Sequence, residues 1–427
     1  MTRRFNQKEG IGMGARQPRV GQVALGPTAV PEDLFEKCRR FTRARQAQAA
    51  GLYPYFVPIM GSEGTEVHVD GRRKIMLGSN NYLGLTHDPR VIEAAERAAR
   101  QYGTGCTGSR FLNGTLDIHE RLEEELAGFL GKEAALVFST GYQTNLGILS
   151  ALAGRGDVIV IDKLDHACIV DGALISQARV YRYNHNDMTH LERVLERARR
   201  EHPHAGLLIV VDGIFSMEGD LADLPHIVPL AHRFGGRILI DEAHSLGVIG
   251  ATGAGVHEHF GLTSESDLLM GTFSKSFASI GGVAAADENV IHYIKHTART
   301  MIFSASMPPY AVATVRECLR ILKTEPERRE RLWRNAERLK AGLQSLGFDT
   351  GLSVTPIIPI IVGDNERTFF FWKILFEMGI FTNPVIAPAV PENTARIRTS
   401  LMATHTEALI DEALEIFHRA GRQVGLI

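Results

Sequence analysis

From about Leu77 onward, short apolar runs alternate with segments of helical periodicity. The runs are Ala134 to Phe138, Val158 to Ile161, Ala178 to Tyr183, Leu207 to Val211, Ile238 to Ile240 and Leu268 to Met270. Runs of this length are typical of strands that are buried on both faces. Buried strands that alternate with helices occur in sheets whose strands are mostly parallel. The sequence therefore predicts an α/β protein with a mostly parallel sheet.

A chain of 427 residues is long enough for a large domain and a smaller one. Residues 1 to about 31 are rich in Gly, Arg, Gln and Pro, and they predict a loose extension before a first helix near Pro31 to Phe35. Near Pro308 and Pro309 the chain enters a long helical stretch. We therefore expect an N-terminal extension with a helix and short strands over 1–75, a large α/β domain over 76–310 and a small C-terminal α+β domain over 311–427.

The composition argues against several classes of partner. Lys and Arg number 47 against 49 Asp and Glu, so the formal net charge of -2 gives no reason to expect nucleic acid or an acidic membrane as the main partner. The four cysteines form no C-x-x-C pair, so neither a metal site nor a disulfide framework is predicted. The basic amino terminus has no apolar stretch after it, and we expect a cytoplasmic protein.

The segment Gly271 to Ser276 carries the strongest chemical signal. Lys275 supplies an amine that can form an imine with an aldehyde. Thr272 and Ser274 supply hydroxyls beside it that can hold a phosphate. The sequence therefore predicts that Lys275 binds pyridoxal phosphate (PLP), although an arbitrary lysine after a strand is more often a solvated surface residue.

Other polar residues follow the predicted strands, and ligands of open α/β sheets collect at the carboxyl ends of strands. After the first run, Ser139 to Asn145 turns into a helix whose first N–H groups can hold a phosphate beside Tyr142. His166 and His244 each follow a strand. Asp241 could keep a pyridine nitrogen protonated so that the ring accepts electrons, or it could cap a helix.

Three further patterns predict no function. Gly103 to Gly108 fits G-x-G-x-x-G but follows a helix instead of a strand, which is the wrong context for a dinucleotide site. Asp241 to His244 spells a helicase box, but the sequence has no phosphate-binding G-x-x-x-x-G-K-[ST] loop upstream. Phe369 to Trp372 has helical spacing to further apolar residues, which favours core packing over membrane docking.

From about Gly51 to Ile427 the chain resembles the α-oxoamine synthases, which are fold-type I PLP enzymes. The residues that carry the resemblance are Gly78 to Gly84, Gly108 to Thr115, Phe215 to Asp220 and Arg398 to Thr406. The second and fourth of these strings favour the serine-using branch. The resemblance implies an aspartate aminotransferase-like fold with a seven-stranded sheet and a smaller C-terminal α+β domain.

The resemblance also implies roles for the site residues. Lys275 would hold the cofactor as an imine, and Asp241 would pair with its pyridine nitrogen. His244 would hydrogen-bond the ring hydroxyl, and His166 would stack on the ring face. The phosphate would be held by Gly141, Tyr142, Thr272 and Ser274, joined by Ser304 from a second subunit of a homodimer.

For the substrate, the resemblance implies that Arg398 binds the amino-acid carboxylate with Asn81 nearby, a task that suits a guanidinium group. A surface ion pair is the alternative for Arg398. Some bacterial family members carry an arginine shortly before a Pro-x-x-Pro-like segment, where this chain has Val385 to Pro391.

The implied reaction is the decarboxylating condensation of L-serine with a long-chain acyl-CoA such as palmitoyl-CoA, giving 3-ketodihydrosphingosine. Peripheral contact with the inner membrane is an added possibility for a lipid enzyme. Sister reactions with glycine, alanine or cysteate would use the same machinery, because selectivity between small amino acids rests on a few pocket contacts. A PLP aminotransferase and a non-catalytic partner subunit are further alternatives, and the presence of Lys275 argues against the second.

Overall fold

The computed structural model describes residues 33–427, and the chain divides into two compact units with the boundary between Tyr53 and Pro54. The described part of the first unit contains the helices Glu36–Arg40 (α1) and Arg43–Ala49 (α2). The extension predicted over residues 1–31 lies outside the described residues. The first described helix begins just after the predicted start.

The second unit contains the remaining strands and helices. The strands are Gly61–Ser62 (β1), Glu66–Val69 (β2), Arg72–Met76 (β3), Ala134–Phe138 (β4), Val158–Asp162 (β5), Arg179–Tyr183 (β6), Leu207–Asp212 (β7), Arg237–Asp241 (β8), Leu268–Thr272 (β9), Gly282–Ala286 (β10), Ile357–Gly363 (β11), Ile380–Phe381 (β12), Asn383–Val385 (β13) and Ala395–Ser400 (β14). The helices are Pro89–Tyr102 (α3), Asp117–Leu130 (α4), Gly141–Leu152 (α5), Ala167–Ser176 (α6), Met188–Glu201 (α7), Leu224–Arg233 (α8), Val256–His259 (α9), Glu288–Thr297 (α10), Arg299–Ile302 (α11), Pro309–Thr324 (α12), Glu327–Ser345 (α13), Asn365–Met378 (α14) and Glu407–Gln423 (α15).

A seven-stranded sheet forms the centre of this unit, in the order β4-β10-β9-β8-β7-β5-β6. Strand β10 runs antiparallel to both of its neighbours, and the other six strands run in one direction. Each of those six corresponds to one of the apolar runs in the sequence. The predicted mostly parallel sheet is therefore confirmed, and the carboxyl ends of six strands share one edge.

Strand β10 is the strand that the sequence pattern did not predict. Its sequence is Gly-Val-Ala-Ala-Ala, and small residues carry little of the β-branched and aromatic signal that marks a strand. Its side chains are buried between β4 and β9. Small residues suit this position because the central strands are covered on both faces. The loop that joins β9 to β10 carries Ser274 and Lys275.

Helices cover both faces of the large sheet. Alternate residues of β5 belong to opposite hydrophobic layers. Val158 and Val160 belong to the cluster that includes residues of α4, α7, α8 and α12, whereas Ile159 and Ile161 belong to the cluster that includes residues of α5, α6 and α10. Burial on both faces explains why the strand sequences are continuous apolar runs instead of alternating patterns. The result is a three-layer α/β core that leaves only the strand ends available for polar chemistry.

Two smaller sheets complete the unit. Strands β11, β14 and β13 form an antiparallel sheet that packs with α13, α14 and α15, which gives the smaller C-terminal α+β part. Strands β1, β2 and β3 form a second sheet, and β12 joins it parallel to β3. A segment near Ile380 therefore completes a sheet that begins at Gly61. The predicted boundaries after residues 75 and 310 stay predictions.

The aromatic run Phe369 to Trp372 lies in α14, where Phe371 and Trp372 are buried. The Phe371 ring contacts Phe348 and Phe417 at centroid distances of 5.9 and 6.4 Å. The prediction of core packing is confirmed for these two side chains. Among the helices described over residues 33–427, none is long and apolar enough to cross a membrane.

Arg110, within the motif Gly108 to Thr115, has a structural role. Its Nη1 and Nη2 atoms donate to the two carboxylate oxygens of Glu123 in α4, at 2.7 and 2.9 Å. Both residues are buried, and Glu123 Oε1 also accepts from the Val137 main-chain N–H at 2.9 Å. The pair therefore ties the motif loop to α4 and to β4.

We expect Arg110→Ala to lower the free energy of unfolding by about 3–5 kcal/mol, because it leaves the Glu123 carboxylate buried without its cation. Urea unfolding measures the loss. The matched control is Arg121→Ala, since Arg121 makes an exposed pair with Asp117 at 2.9 Å in the same helix. Its expected cost is about 0.5 kcal/mol or less. Equal losses in the two variants would contradict this account of Arg110.

Candidate active site

A cavity of about 420 Å³ lies at the carboxyl edge of the large sheet. Turns that follow β4, β5, β8 and β9 supply most of its wall. The predicted site residues that line it are Gly141, Tyr142, His166, Asp241, His244, Thr272, Ser274 and Lys275. They converge because parallel strands end at the same edge of a sheet. The other predicted residues, Asn81, Ser304 and Arg398, do not line this cavity.

Lys275 is the amine of the cavity, and its side chain is half-buried. Burial lowers the pKa of Lys275 to about 8, although the nearby carboxylates of Asp241 and Asp212 oppose the shift. A lysine with an ordinary pKa is almost wholly protonated near neutral pH and is a poor nucleophile. Lys275 therefore keeps an appreciable neutral fraction that can attack an aldehyde.

An anion-binding arrangement faces Lys275 at the amino terminus of α5. Thr140 caps this helix, with its hydroxyl oxygen accepting from the Gln143 N–H at 3.1 Å. The hydroxyls of Thr272 and Ser274 lie 3.0 Å apart on the opposite side. A Cβ atom on Gly141 would come within 2.6 Å of Thr272 Oγ1, so only glycine allows this approach. Helix N–H groups and hydroxyls at this spacing fit the phosphate of PLP.

We expect the rate of covalent capture of PLP by the cofactor-free protein to rise with pH through a midpoint near 8, because the neutral Lys275 amine is the reacting form. Below that midpoint the rate should fall about tenfold per pH unit. Stopped-flow absorbance between pH 6 and 10 measures it. A midpoint near the ordinary lysine value of about 10.5 would show that burial does not tune this amine.

Asp241 ends β8 and is almost completely buried. Its Oδ2 accepts from Asn145 Nδ2 at 2.7 Å, and its Oδ1 accepts from the Ala243 N–H at 2.9 Å. Residues 243–249 form turns instead of a helix, so Asp241 is not a helix cap. Hydrogen bonds to both oxygens hold the carboxylate in one orientation at the cavity wall. Such a carboxylate can pair with a pyridinium nitrogen.

His166 and His244 are both held as neutral rings. Burial lowers the pKa of His166, and Lys275 lowers it further while Asp241 opposes. Burial also holds the pKa of His244 well below its usual range, together with the positive charges of Lys275 and Arg398. Two neutral rings can each present one N–H donor to a bound group.

Tyr82 fixes the orientation of His244. The Tyr82 hydroxyl lies 2.8 Å from His244 Nδ1, and burial raises the pKa of Tyr82 to about 12. The phenol has one hydrogen, and Asn80 Oδ1 is a second acceptor for it at 3.4 Å. When the phenol donates to Nδ1, the ring proton of His244 is on Nε2. The motif Gly78 to Gly84 contains this tyrosine, but the sequence alone gave it no role.

Arg398 is buried and is therefore not a surface ion pair. Its Nε donates to the Ser216 carbonyl at 2.6 Å, its Nη1 to Ser400 Oγ at 2.8 Å and its Nη2 to Asn80 Oδ1 at 3.0 Å. Ser216 lines the cavity, so Arg398 lies directly behind the wall. A guanidinium group has five N–H hydrogens, and one on Nη1 and one on Nη2 remain for a carboxylate.

The structure places Asn80, and not the predicted Asn81, against Arg398. Asn81 Nδ2 donates to Thr86 Oγ1 at 2.8 Å, and Asn81 Oδ1 accepts from the Leu85 N–H at 3.1 Å. Both polar ends of Asn81 are therefore used to form the turn that follows the motif. Adjacent asparagines cannot be distinguished from sequence when only one of them faces the site.

Ser304 lies close to α5 of its own chain, where its Oγ accepts from Gln143 Nε2 at 3.2 Å. Its predicted contribution to a neighbouring subunit stays a prediction.

Asp212 is a cavity residue that sequence reasoning missed. It ends β7 and pairs in register with Asp241 of β8. Burial and the charge of Asp241 raise the pKa of Asp212 well above its usual range. The rule that found Asp241, a polar residue directly after an apolar run, could also have found Asp212.

Comparisons with known proteins agree with this geometry. The family "Aminotransferase class I and II" matches residues 72–417, and the chain belongs to this family of PLP-dependent transferases. The predicted resemblance to α-oxoamine synthases and the predicted cofactor are thereby confirmed.

Two curated relatives and one solved structure show the similarity. The chain is 52% identical to a serine palmitoyltransferase of Sphingobacterium spiritivorum, over 91% of this chain and 97% of the relative. It is 44% identical to an 8-amino-7-oxononanoate synthase of Geobacter sulfurreducens, over 90% of this chain and 98% of the relative. A solved serine palmitoyltransferase from S. paucimobilis, with a bound PLP–myriocin aldimine, is 38% identical with a TM-score of 0.89, covering 92% of this chain and 100% of that one.

Proposed function

We propose that this chain catalyses the decarboxylating condensation of L-serine with palmitoyl-CoA or another long-chain acyl-CoA. The products are 3-ketodihydrosphingosine, CoA and CO2, which makes the reaction the first step of sphingolipid synthesis. The observation that carries the proposal is the convergence of Lys275, Asp241 and His166 at one cavity. The 52% identity to a serine palmitoyltransferase supports the choice of substrates.

The cofactor, when bound, supplies an electron sink for the carbanion at the serine Cα. Asp241 would hold the proton on the pyridine nitrogen, and His244 would donate its ring N–H to the hydroxyl oxygen of the cofactor. The N–H groups at Gly141 and Tyr142, with the hydroxyls of Thr272 and Ser274, would bind the phosphate. These contacts would hold the ring in the cavity, and His166 would cover one face of it.

Lys275 moves the proton in this reaction. Its Nζ, once free and neutral, removes the proton from the serine Cα. Burial lowers its pKa to about 8 in the cofactor-free protein, which is closer to neutral pH than the pKa of an ordinary lysine and favours its use as a general base. The two unused hydrogens of Arg398 bind the serine carboxylate and orient the Cα bonds. Fixing that orientation decides which bond at Cα breaks.

We further propose a homodimer in which Ser304 of each chain completes the site of the other. Phe303, next to Ser304, is 73% exposed, and Leu112 in the motif loop is 78% exposed. Large apolar side chains at such exposure favour burial against a partner. Coexpressing a Lys275→Ala chain with a Ser304→Asp chain should restore activity, since one of the two sites would combine an intact lysine with an intact serine. Activity no higher than that of either parent variant would contradict shared sites.

A cytoplasmic location with peripheral contact at the inner membrane remains part of the proposal. The proposed membrane contact rests on the hydrophobic acyl-CoA substrate.

CoA release by the PLP-loaded protein tests the proposed reaction. Palmitoyl-CoA is supplied with serine, glycine, alanine or cysteate in parallel, and pimeloyl-CoA is supplied with alanine. The last pair is included because of the 44% identity to an 8-amino-7-oxononanoate synthase. Release with serine and palmitoyl-CoA is the expected result. Release only with another pair would keep the mechanism and reassign the substrates. Amino transfer without CoA release would instead indicate an aminotransferase.

A further inference from the structure

Asn145 of α5 and Cys168 of α6 form a hydrogen-bonded link between Asp241 and His166. Asn145 Nδ2 lies 2.7 Å from Asp241 Oδ2 and 3.0 Å from Cys168 Sγ. Cys168 Sγ lies 2.9 Å from His166 Nδ1. Both connecting side chains are buried. Cys168 also lines the cavity, whereas Asn145 does not. The link therefore runs along the cavity wall, from the carboxylate at one side to the imidazole at the other.

The chemistry of the groups fixes the direction of each bond. A carboxylate accepts, so Asn145 must direct its amide nitrogen at Asp241, and its second hydrogen reaches Cys168 Sγ. The Asn145 Oδ1 atom is buried with no partner among the described residues. Exchanging the oxygen and nitrogen of the Asn145 amide would bring the oxygen to the Asp241 carboxylate. Two acceptors would then face each other, which is unfavourable.

The main chain fixes the His166 tautomer. The Cys168 N–H, which can only donate, lies 3.2 Å from His166 Nδ1, and the His166 side chain caps α6 by accepting this bond. Nδ1 is therefore an acceptor, the nearby thiol donates to it, and the proton of the neutral ring is on Nε2. Burial raises the pKa of the Cys168 thiol far above its usual range, so the thiol keeps the proton that it donates.

We propose that Asn145 and Cys168 are positioning residues that hold the His166 imidazole in one plane, as the neutral Nε2–H tautomer, through Asp241. The proposal rests on the roles of Asp241 and His166 in the proposed function. Asp241 then has two roles: it would pair with the cofactor nitrogen, and it orients His166 through two buried side chains.

Several charged or titratable groups surround the His166 ring. The Tyr142 and His166 rings make an edge contact, with their centroids 6.5 Å apart. Asp212 Oδ2 accepts from the His166 main-chain N–H at 2.8 Å. Asp241 and Lys275 act on the ring with opposite sign, and Lys275 lowers the pKa together with burial. The thiol adds to the same effect, because protonation of Nδ1 would break its hydrogen bond.

Nitrogen-15 NMR of the full-length, cofactor-free protein labelled at histidine tests the proposal. Long-range proton couplings identify the tautomer, and a His166→Gln sample assigns the signal. We expect a bare Nδ1, a protonated Nε2 and a pKa below the usual 6.5 in the wild type. Cys168→Ala should raise the His166 pKa by about half to one unit, whereas Cys168→Ser, which keeps a donor, should preserve it.

Cys318→Ala is the matched control, because Cys318 is a buried thiol in α12 outside the cavity. It should leave the His166 signal unchanged. A proton on Nδ1 in the wild type would overturn the proposal, even if the Cys168 variants fail to fold. An unchanged pKa in folded Cys168→Ala would also overturn it. No substrate enters this experiment, so a failed CoA-release assay would refute the proposed reaction and leave this result standing.

Discussion

Lys275→Ala is expected to abolish condensation, with a loss of turnover of at least about 10⁴-fold. The amine both attaches the cofactor and removes the Cα proton, so its removal stops two steps. The visible absorbance of the lysine-bound cofactor should disappear from the purified protein. Lys275 is the lysine of this cavity, so no neighbouring lysine in the wall can replace it. CoA release and the absorption spectrum measure the two effects.

Lys295→Ala provides the control, since Lys295 is an exposed lysine in α10, away from the cavity. It should keep wild-type turnover and the cofactor spectrum. Thermal unfolding should show that Lys275→Ala remains folded, because a lysine whose pKa is lowered in the folded protein adds no stability in its charged form. Turnover above about a hundredth of the wild-type value in Lys275→Ala would refute the assignment of this lysine.

Asp241→Asn is expected to reduce turnover by about 10²- to 10³-fold, since a neutral amide cannot keep the pyridine nitrogen protonated. The substitution preserves the size of the side chain but not its hydrogen bonds. Asn145 Nδ2 and the Ala243 N–H each donate to one Asp241 oxygen, so an amide nitrogen must face one of these donors. A further loss of stability of about 1–3 kcal/mol should follow.

Asp267→Asn is the control variant. It separates the effect of the Asp241 charge on turnover from the loss of stability that a lost hydrogen bond causes. Asp267 accepts from the Ile238 main-chain N–H at 2.9 Å and lies at the amino ends of the strands, opposite the cavity. It should lose stability without losing turnover per folded molecule. The kcat values of Asp241→Asn and Asp267→Asn, corrected by active-site titration, separate a loss of catalysis from a loss of folded protein. Similar kcat losses in both would show that Asp241 has no special effect on the cofactor.

Much of the fold could be predicted because the six parallel strands are continuous apolar runs. Strand β10 could not be predicted, because its alanines and glycine carry little strand signal. These small residues suit a crowded position between β4 and β9, which exists only in the assembled sheet. The join of β12 to β3 was also invisible in the sequence, since it connects segments about 300 residues apart.

The candidate site could be predicted to a similar extent. Residues at strand ends, such as Lys275, Asp241 and His166, were found because chain position alone places them at one edge. The choice between Asn80 and Asn81 depends on which side chain faces Arg398, a residue more than 300 positions away. Arg110 lies in a motif that carries the family resemblance, but it pairs with the buried Glu123 and has a structural role.

The sequence by itself determined the order of the six parallel strands along the chain, the amine and the carboxylate of the site, and the family. These properties are local, because apolar runs, turns and motifs are set by neighbouring residues. Only the tertiary structure decided the lowered pKa of Lys275, the orientation of Asp241 and the link through Asn145 and Cys168. Burial and hydrogen bonding join groups that are distant in sequence, and packing of the whole chain fixes which groups meet.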